Sequence, residues 1–142
     1  MTKSALLAPV LVQVALTFVL LFWMGSARVR ALRAGQLKVK DIALGQSAWP
    51  ERITQIGNCY HNQFQLPVLF YAGVGFAMLT GQVGGEFVAL AWAFVVSRVL
   101  HAMVHTSSNN VPRRFYAFVI GAVVLMALWI DLGVRLLLME GH

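Results

Sequence analysis

Four stretches of this chain are apolar for long enough to cross a lipid bilayer, and that pattern limits its fold more than any motif does. A helix rises about 1.5 Å per residue, so crossing the hydrocarbon core takes about 20 largely apolar residues. Residues 5–24 form the first run. Residues 66–80 form the second, preceded by one or two polar helical turns. Residues 87–104 are interrupted by Arg98 and His101, and residues 115–139 by Asp131 and Arg135. Composition agrees: 59% of the 142 residues are hydrophobic and 11% charged, whereas a soluble domain carries roughly a quarter charged. A disordered chain is excluded and a water-soluble globule is disfavoured. The first run starts beside Lys3, but its apolar core is too long for a cleaved signal peptide. Arg28, Arg30 and Arg33 then follow as a stop-transfer cluster.

The expected fold is all-α, an integral membrane four-helix bundle with up-down topology. It occupies residues 1–142 as a single membrane domain, with spans at about 5–30, 50–80, 86–105 and 112–138 and a long basic loop at about 31–49. Local signals set the boundaries. Gly35 suits the end of helix one, and Pro50-Glu51 suits the first turn of helix two. Ser107, Ser108, Asn109 and Asn110 followed by Pro112 read as a stop and a restart. The net charge of +6 raises nucleic-acid binding, but the basic residues sit beside apolar runs, so no nucleic-acid partner is expected. Arg28, Arg30, Arg33, Lys38, Lys40 and Arg52 lie between spans one and two, and Arg113 and Arg114 follow span three. The connection over residues 81–86 carries no basic residue. The positive-inside rule therefore puts the first and third connections in the cytoplasm and both termini on the far side, against the weak opposition of Lys3 and Arg135. A multi-pass integral membrane protein is expected.

Function is sought among the polar residues that lipid would reject. On helix two, Gln55, Asn58, Asn62 and Gln65 are spaced 3, 4 and 3 and share one stripe, with Glu51 extending it, His61 flanking it and Pro67 expected to kink the helix just beyond. On helix three, Arg98, His101 and His105 share a face. Arg113 and Arg114 stand near the start of helix four, where free N–H groups favour anions, and Arg52 is a further charge at the same mouth. Facing stripes with arginines at the rim suit a cleft for an anionic, partly apolar ligand. The alternatives are structural. The amides tie helices together, Arg98 pairs with Glu51 or with a carbonyl, and the histidines are neutral, hydrogen-bonded imidazoles. His101 and His105 have the i, i+4 spacing of shared metal ligands, with His61 a conceivable third. No HExxH pattern or nearby carboxylate supports that, so no metal is assigned. Asp131 and Arg135 are expected to neutralise each other. The single Cys59 excludes an intrachain disulfide.

The run Asn58-Cys59-Tyr60-His61-Asn62-Gln63-Phe64-Gln65-Leu66-Pro67, followed by Arg98-Val99-Leu100-His101 and Val111-Pro112-Arg113-Arg114-Phe115, resembles the MAPEG family, the membrane-associated proteins in eicosanoid and glutathione metabolism. The resemblance covers nearly the whole chain and is that of a divergent, bacterial-type member. It implies a homotrimer of four-helix subunits among membrane lipids, with glutathione between neighbouring subunits in a cleft open to the cytoplasm. It further implies a glutathione-dependent transferase or peroxidase acting on a lipophilic electrophile. The family's helix-two pattern is Arg-x-x-x-Asn-x-x-Glu with a proline shortly after. Asn62 then falls on its asparagine, Gln65 on its glutamate and Asn58 on its glutathione-binding arginine. Two helix-three tyrosines of the family fall on His101 and His105, and Arg113 or Arg114 stands for the arginine that activates the thiol. Gln65 and Asn58 lack the charges of the residues they replace, and neutral amides cannot reproduce a bidentate, charge-assisted bond. The alternative function is therefore a non-catalytic membrane scaffold, or a lipid- or partner-binding module on the same fold.

Overall fold

A computed structural model describes residues 3–45 and 48–140; residues 1–2, 46–47 and 141–142 lie outside the described residues. The chain is all-helical there: α1 (Lys3–Arg33), α2 (Glu51–His61), α3 (Leu66–Thr80), α4 (Gly85–Thr106) and α5 (Val111–Glu140). Short 3-10 turns lie at Val39–Ile42 and Asn62–Phe64. Among the described residues, four segments are long and apolar enough to cross a membrane: Ser4–Arg33, Glu51–Thr80, Gly85–Thr106 and Val111–Leu138. The second contains α2 and α3, which together make one span.

That second span is broken where a simple kink beyond the polar stripe was expected. Its α-helix stops at His61, and Gln65 leaves helical geometry altogether at φ −98°, ψ −105°. The cause is Pro67, which sits in the first turn of α3. A proline lacks the N–H that would continue the ladder, and its ring would strike the carbonyl four residues back. Starting a new helix with proline at its head avoids both penalties. Asn62 and Gln65 consequently lie in the break, out of line with Gln55 and Asn58.

Cross-helix contacts fix the topology as up and down. The start of α2 meets the end of α4, where Gln55 Nε2 donates to the His105 carbonyl at 2.6 Å. Arg135 near the end of α5 meets Glu86 at the start of α4 at 2.8 Å. The core fills the half of the bundle around α3, α4 and α5, where Phe70, Phe87, Phe94 and Leu128 are fully buried. The Phe70 and Phe94 rings stack at 4.8 Å, a separation at which aromatic pairs attract beyond their buried area. Positive charge gathers at the other end. Arg28, Arg30 and Arg33 close α1, Arg52 opens α2, and Arg113 and Arg114 open α5. The opposite end holds Arg135, and there it is neutralised by Asp131 at 2.9 Å as well as by Glu86.

Candidate functional site

Among the described residues, Arg98 is the largest fully buried side chain. It sits on α4 among groups of little charge. One Nη2 hydrogen bond goes to Asn62 Oδ1, in the break between α2 and α3. Its guanidinium lies 5.9 Å from the centre of the Phe118 ring on α5. Among the described residues, its Nε and Nη1 have no hydrogen-bond partner. A buried charge left in that state is costly, since the interior returns little of the lost hydration. Glu51, one expected partner, is exposed, and the pairing is with a side-chain carbonyl instead.

One turn along α4, His101 and His105 are both buried, with their rings 5.4 Å apart and nearly perpendicular. Each leaves Nδ1 without a partner among the described residues. Asn62, His101 and Phe118 form one wall of a cavity of about 180 Å³, and Val111, Arg114 and Phe115 complete it. Arg98 thus lies one layer behind the wall, touching the cavity through Asn62 and Phe118. Arg114 is held at the mouth by Asn109 Oδ1, to which it donates at 2.6 Å. The Asn110 side chain caps α5 by accepting from the Arg113 backbone N–H at 3.0 Å. Among the described residues no group of three or more His, Cys, Asp or Glu side chains is placed to hold a metal ion.

A family model described as the MAPEG family matches residues 6–134. The chain belongs to the MAPEG family. No curated protein and no solved structure matches it. As a MAPEG protein it is a multi-pass membrane chain of the glutathione and eicosanoid metabolism family.

The MAPEG helix-two positions do not converge on one cleft. Asn62 accepts from Arg98, and its Nδ2 donates to Gln65 Oε1 at 3.0 Å. Asn58 and His61 lie on another face of α2 and line a separate pocket with Arg28, Trp49 and Thr54. The arginines divide as well. Arg114 faces the cavity, whereas Arg113, the adjacent residue on a helix, turns to a groove beside Ser97 and Tyr116. Arg52 does not reach the cleft at all. It donates to the Thr106 carbonyl at the end of α4 and lies 5.4 Å from the Trp23 ring, so it caps a helix terminus. Sequence reasoning also missed Gln13 and Gln63, both buried, whose side chains join α1 to the break at 3.0 Å. The available signal was Gln13 itself, a lone amide in the middle of an apolar run.

Proposed function

We propose that this MAPEG protein is a glutathione-dependent transferase or peroxidase acting on lipophilic electrophiles, with its thiol co-substrate at the cavity between Asn62, His101 and Arg114. The observation that carries the reading is the buried Arg98 guanidinium, with two unsatisfied nitrogens behind a cavity that has a second arginine at its mouth. Such a site asks for an anion, and glutathione is a thiol that carries two carboxylates. When bound, glutathione supplies a thiolate as nucleophile. Arg114 holds that negative charge by Coulomb attraction at the head of α5, where backbone N–H groups add to it. His101 lines the same cavity and brings its ring beside the reacting centre. Leu66, Leu69, Ala122, Met126 and Trp129 line an apolar groove of about 610 Å³ that starts one turn beyond Asn62 and Phe118 and gives an electrophile a route from the lipid. The working assembly is a homotrimer in a bacterial inner membrane, with both termini outside the cytoplasm.

The test is glutathione binding by the purified protein, read by the ultraviolet absorbance of the thiolate at neutral pH. Arg114→Ala abolishes the signal and Arg113→Ala keeps it. The amide ties of Gln13 to Gln63 and of Gln55 to the His105 carbonyl favour a second reading, a scaffold whose polar residues only join helices. That reading stands if millimolar glutathione does not bind and Asn58→Arg with Gln65→Glu creates no binding.

A further inference from the structure

The adjacent arginines at the head of α5 serve two different sides of the seam that α5 forms with α4. Arg114 lines the cavity and is held by Asn109 Oδ1. Arg113 is exposed, and among the described residues its guanidinium has no hydrogen-bond or ion-pair partner; Asn110 engages its backbone N–H instead. It stands at one end of a groove of about 290 Å³, lined further by Ser97 and Leu100 of α4 and by Tyr116, Ala117 and Ile120 of α5. At about 100° per residue, positions 113, 116, 117 and 120 share one face of α5, and 111, 114, 115 and 118 share the face opposite. The groove is therefore separate from the proposed thiol site.

Its floor is apolar in effect. Ser97 is buried and spends its hydroxyl proton on the Phe94 carbonyl at 2.6 Å, and Ala117 is small. Gly121 lets α5 settle against Ser97, since a Cβ there would lie 2.8 Å from Ser97 Oγ. Leu100 and Ile120 wall the groove and are 53% and 58% exposed. From Arg113 to Ile120 the helix rises about 10 Å, so 290 Å³ leaves a cross-section of about 30 Å². That admits one hydrocarbon chain and not a helix, which is about 10 Å across. Charge complementarity names the head that goes with the chain. Arg113 lies at the end of the bundle where Arg28, Arg30, Arg33 and Arg52 also gather. An excess of Lys and Arg marks the cytoplasmic side, whose leaflet carries the anionic lipids. Tyr116 follows Arg113 by one turn, at the depth where amphipathic rings meet the headgroups. We propose that the groove between α4 and α5 holds an anionic phospholipid of the cytoplasmic leaflet, with its phosphate on Arg113 and one acyl chain along Leu100, Ala117 and Ile120. Arginine suits the phosphate because its planar fork donates two parallel hydrogen bonds.

The experiment counts lipid retained by the full chain in mild detergent, by native mass spectrometry, with phosphatidylglycerol and phosphatidylcholine of identical acyl chains as probes. The wild-type protein binds phosphatidylglycerol about fivefold more tightly than phosphatidylcholine. Arg113→Gln, at an exposed position where folding is not at stake, brings the two lipids level. Arg30→Gln removes the same charge from the same end and leaves the preference in place. Ala117→Leu fills the groove and weakens both lipids, and millimolar glycerol 3-phosphate displaces neither. Equal affinities in the wild-type protein overturn the proposal. An equal loss in Arg30→Gln does so too, because it shows diffuse attraction to a basic surface. Displacement by glycerol 3-phosphate shows a headgroup bound without the groove and overturns it as well. So does lipid binding that Ala117→Leu leaves unchanged; a change in the number of copies would then make the groove an interface between subunits.

Discussion

Arg98 brings a charge into the bundle that no described acidic group meets, and this makes the sign of its contribution to stability testable. An unpaired buried charge costs folding free energy, and an apolar side chain of similar length does not carry that cost. Arg98→Met is therefore expected to hold or raise the thermal midpoint of the ligand-free protein. A midpoint lowered by more than about 5 °C would show instead that the charge supports the empty bundle. Gln13 and Gln63 behave differently, because the Gln13 NH2 donates to the Gln63 carbonyl oxygen. Gln13→Leu strands the Gln63 carbonyl oxygen, whereas Gln13→Leu with Gln63→Leu removes both needs at once. A double-mutant cycle on unfolding in mixed micelles should give a coupling of about 0.6 kcal/mol, with about 1.7 kcal/mol as its ceiling. Additive effects would mean that the bond contributes nothing. Sequence periodicity found Arg98 and overlooked this pair, because a single amide in an apolar run has no spacing to detect.

Helices α4 and α5 approach closely at Gly121. A Cβ there would lie 2.8 Å from Ser97 Oγ, closer than side-chain atoms pack. Ser97 is itself buried and turned back to donate to the Phe94 carbonyl at 2.6 Å. Gly121→Ala should cost about 1–3 kcal/mol of stability by overpacking, and adding Ser97→Ala should recover most of that. Equal stability of Gly121→Ala and the native chain in thermal unfolding would contradict the close approach. The helices themselves were legible, since four apolar runs and their flanking Gly, Pro and Asn signals depend on local chemistry alone. The break at Asn62–Gln65 was half legible. Pro67 announced a disturbance, but whether the chain kinks or restarts is decided by tertiary partners: Gln63 bonds to Gln13, and Asn62 to Arg98. For the same reason the expected single stripe divides. Residues spaced 3 and 4 apart share a face only while one helix continues, and past His61 it does not. The separation of Arg113 from Arg114 was not legible, because adjacent residues turn about 100° apart and the start of α5 was not fixed to a single residue.

The whole molecule sorts its charge by end, and this makes a definite statement about the membrane. With the helices running up and down, the end of α1, the start of α2, the end of α4 and the start of α5 come together and carry Arg28, Arg30, Arg33, Arg52, Arg113 and Arg114. Loops rich in Lys and Arg stay in the cytoplasm. A reporter inserted at residues 36–41 should read cytoplasmic and one fused after residue 142 should read non-cytoplasmic; matching compartments would refute the orientation. Assembly follows from what a lone subunit leaves uncovered in that orientation. Gln65, Asn58 and His61 are exposed within Glu51–Thr80, a membrane-spanning segment. Lipid offers no hydrogen bonds, and an unsatisfied polar group there costs several kcal/mol. Snorkelling to the headgroups could relieve His61 and Asn58, which lie toward the basic end, but Gln65 sits deeper, four residues beyond His61. A neighbouring subunit over the break between α2 and α3 would shield Gln65 and close the cavity beside it. Native mass measurement in a mild detergent should find the homotrimer proposed above, and Gln65→Leu, which removes the need for cover, should weaken its assembly. A population that stays monomeric at all protein concentrations would sink the trimer, and with it any site that needs a second subunit.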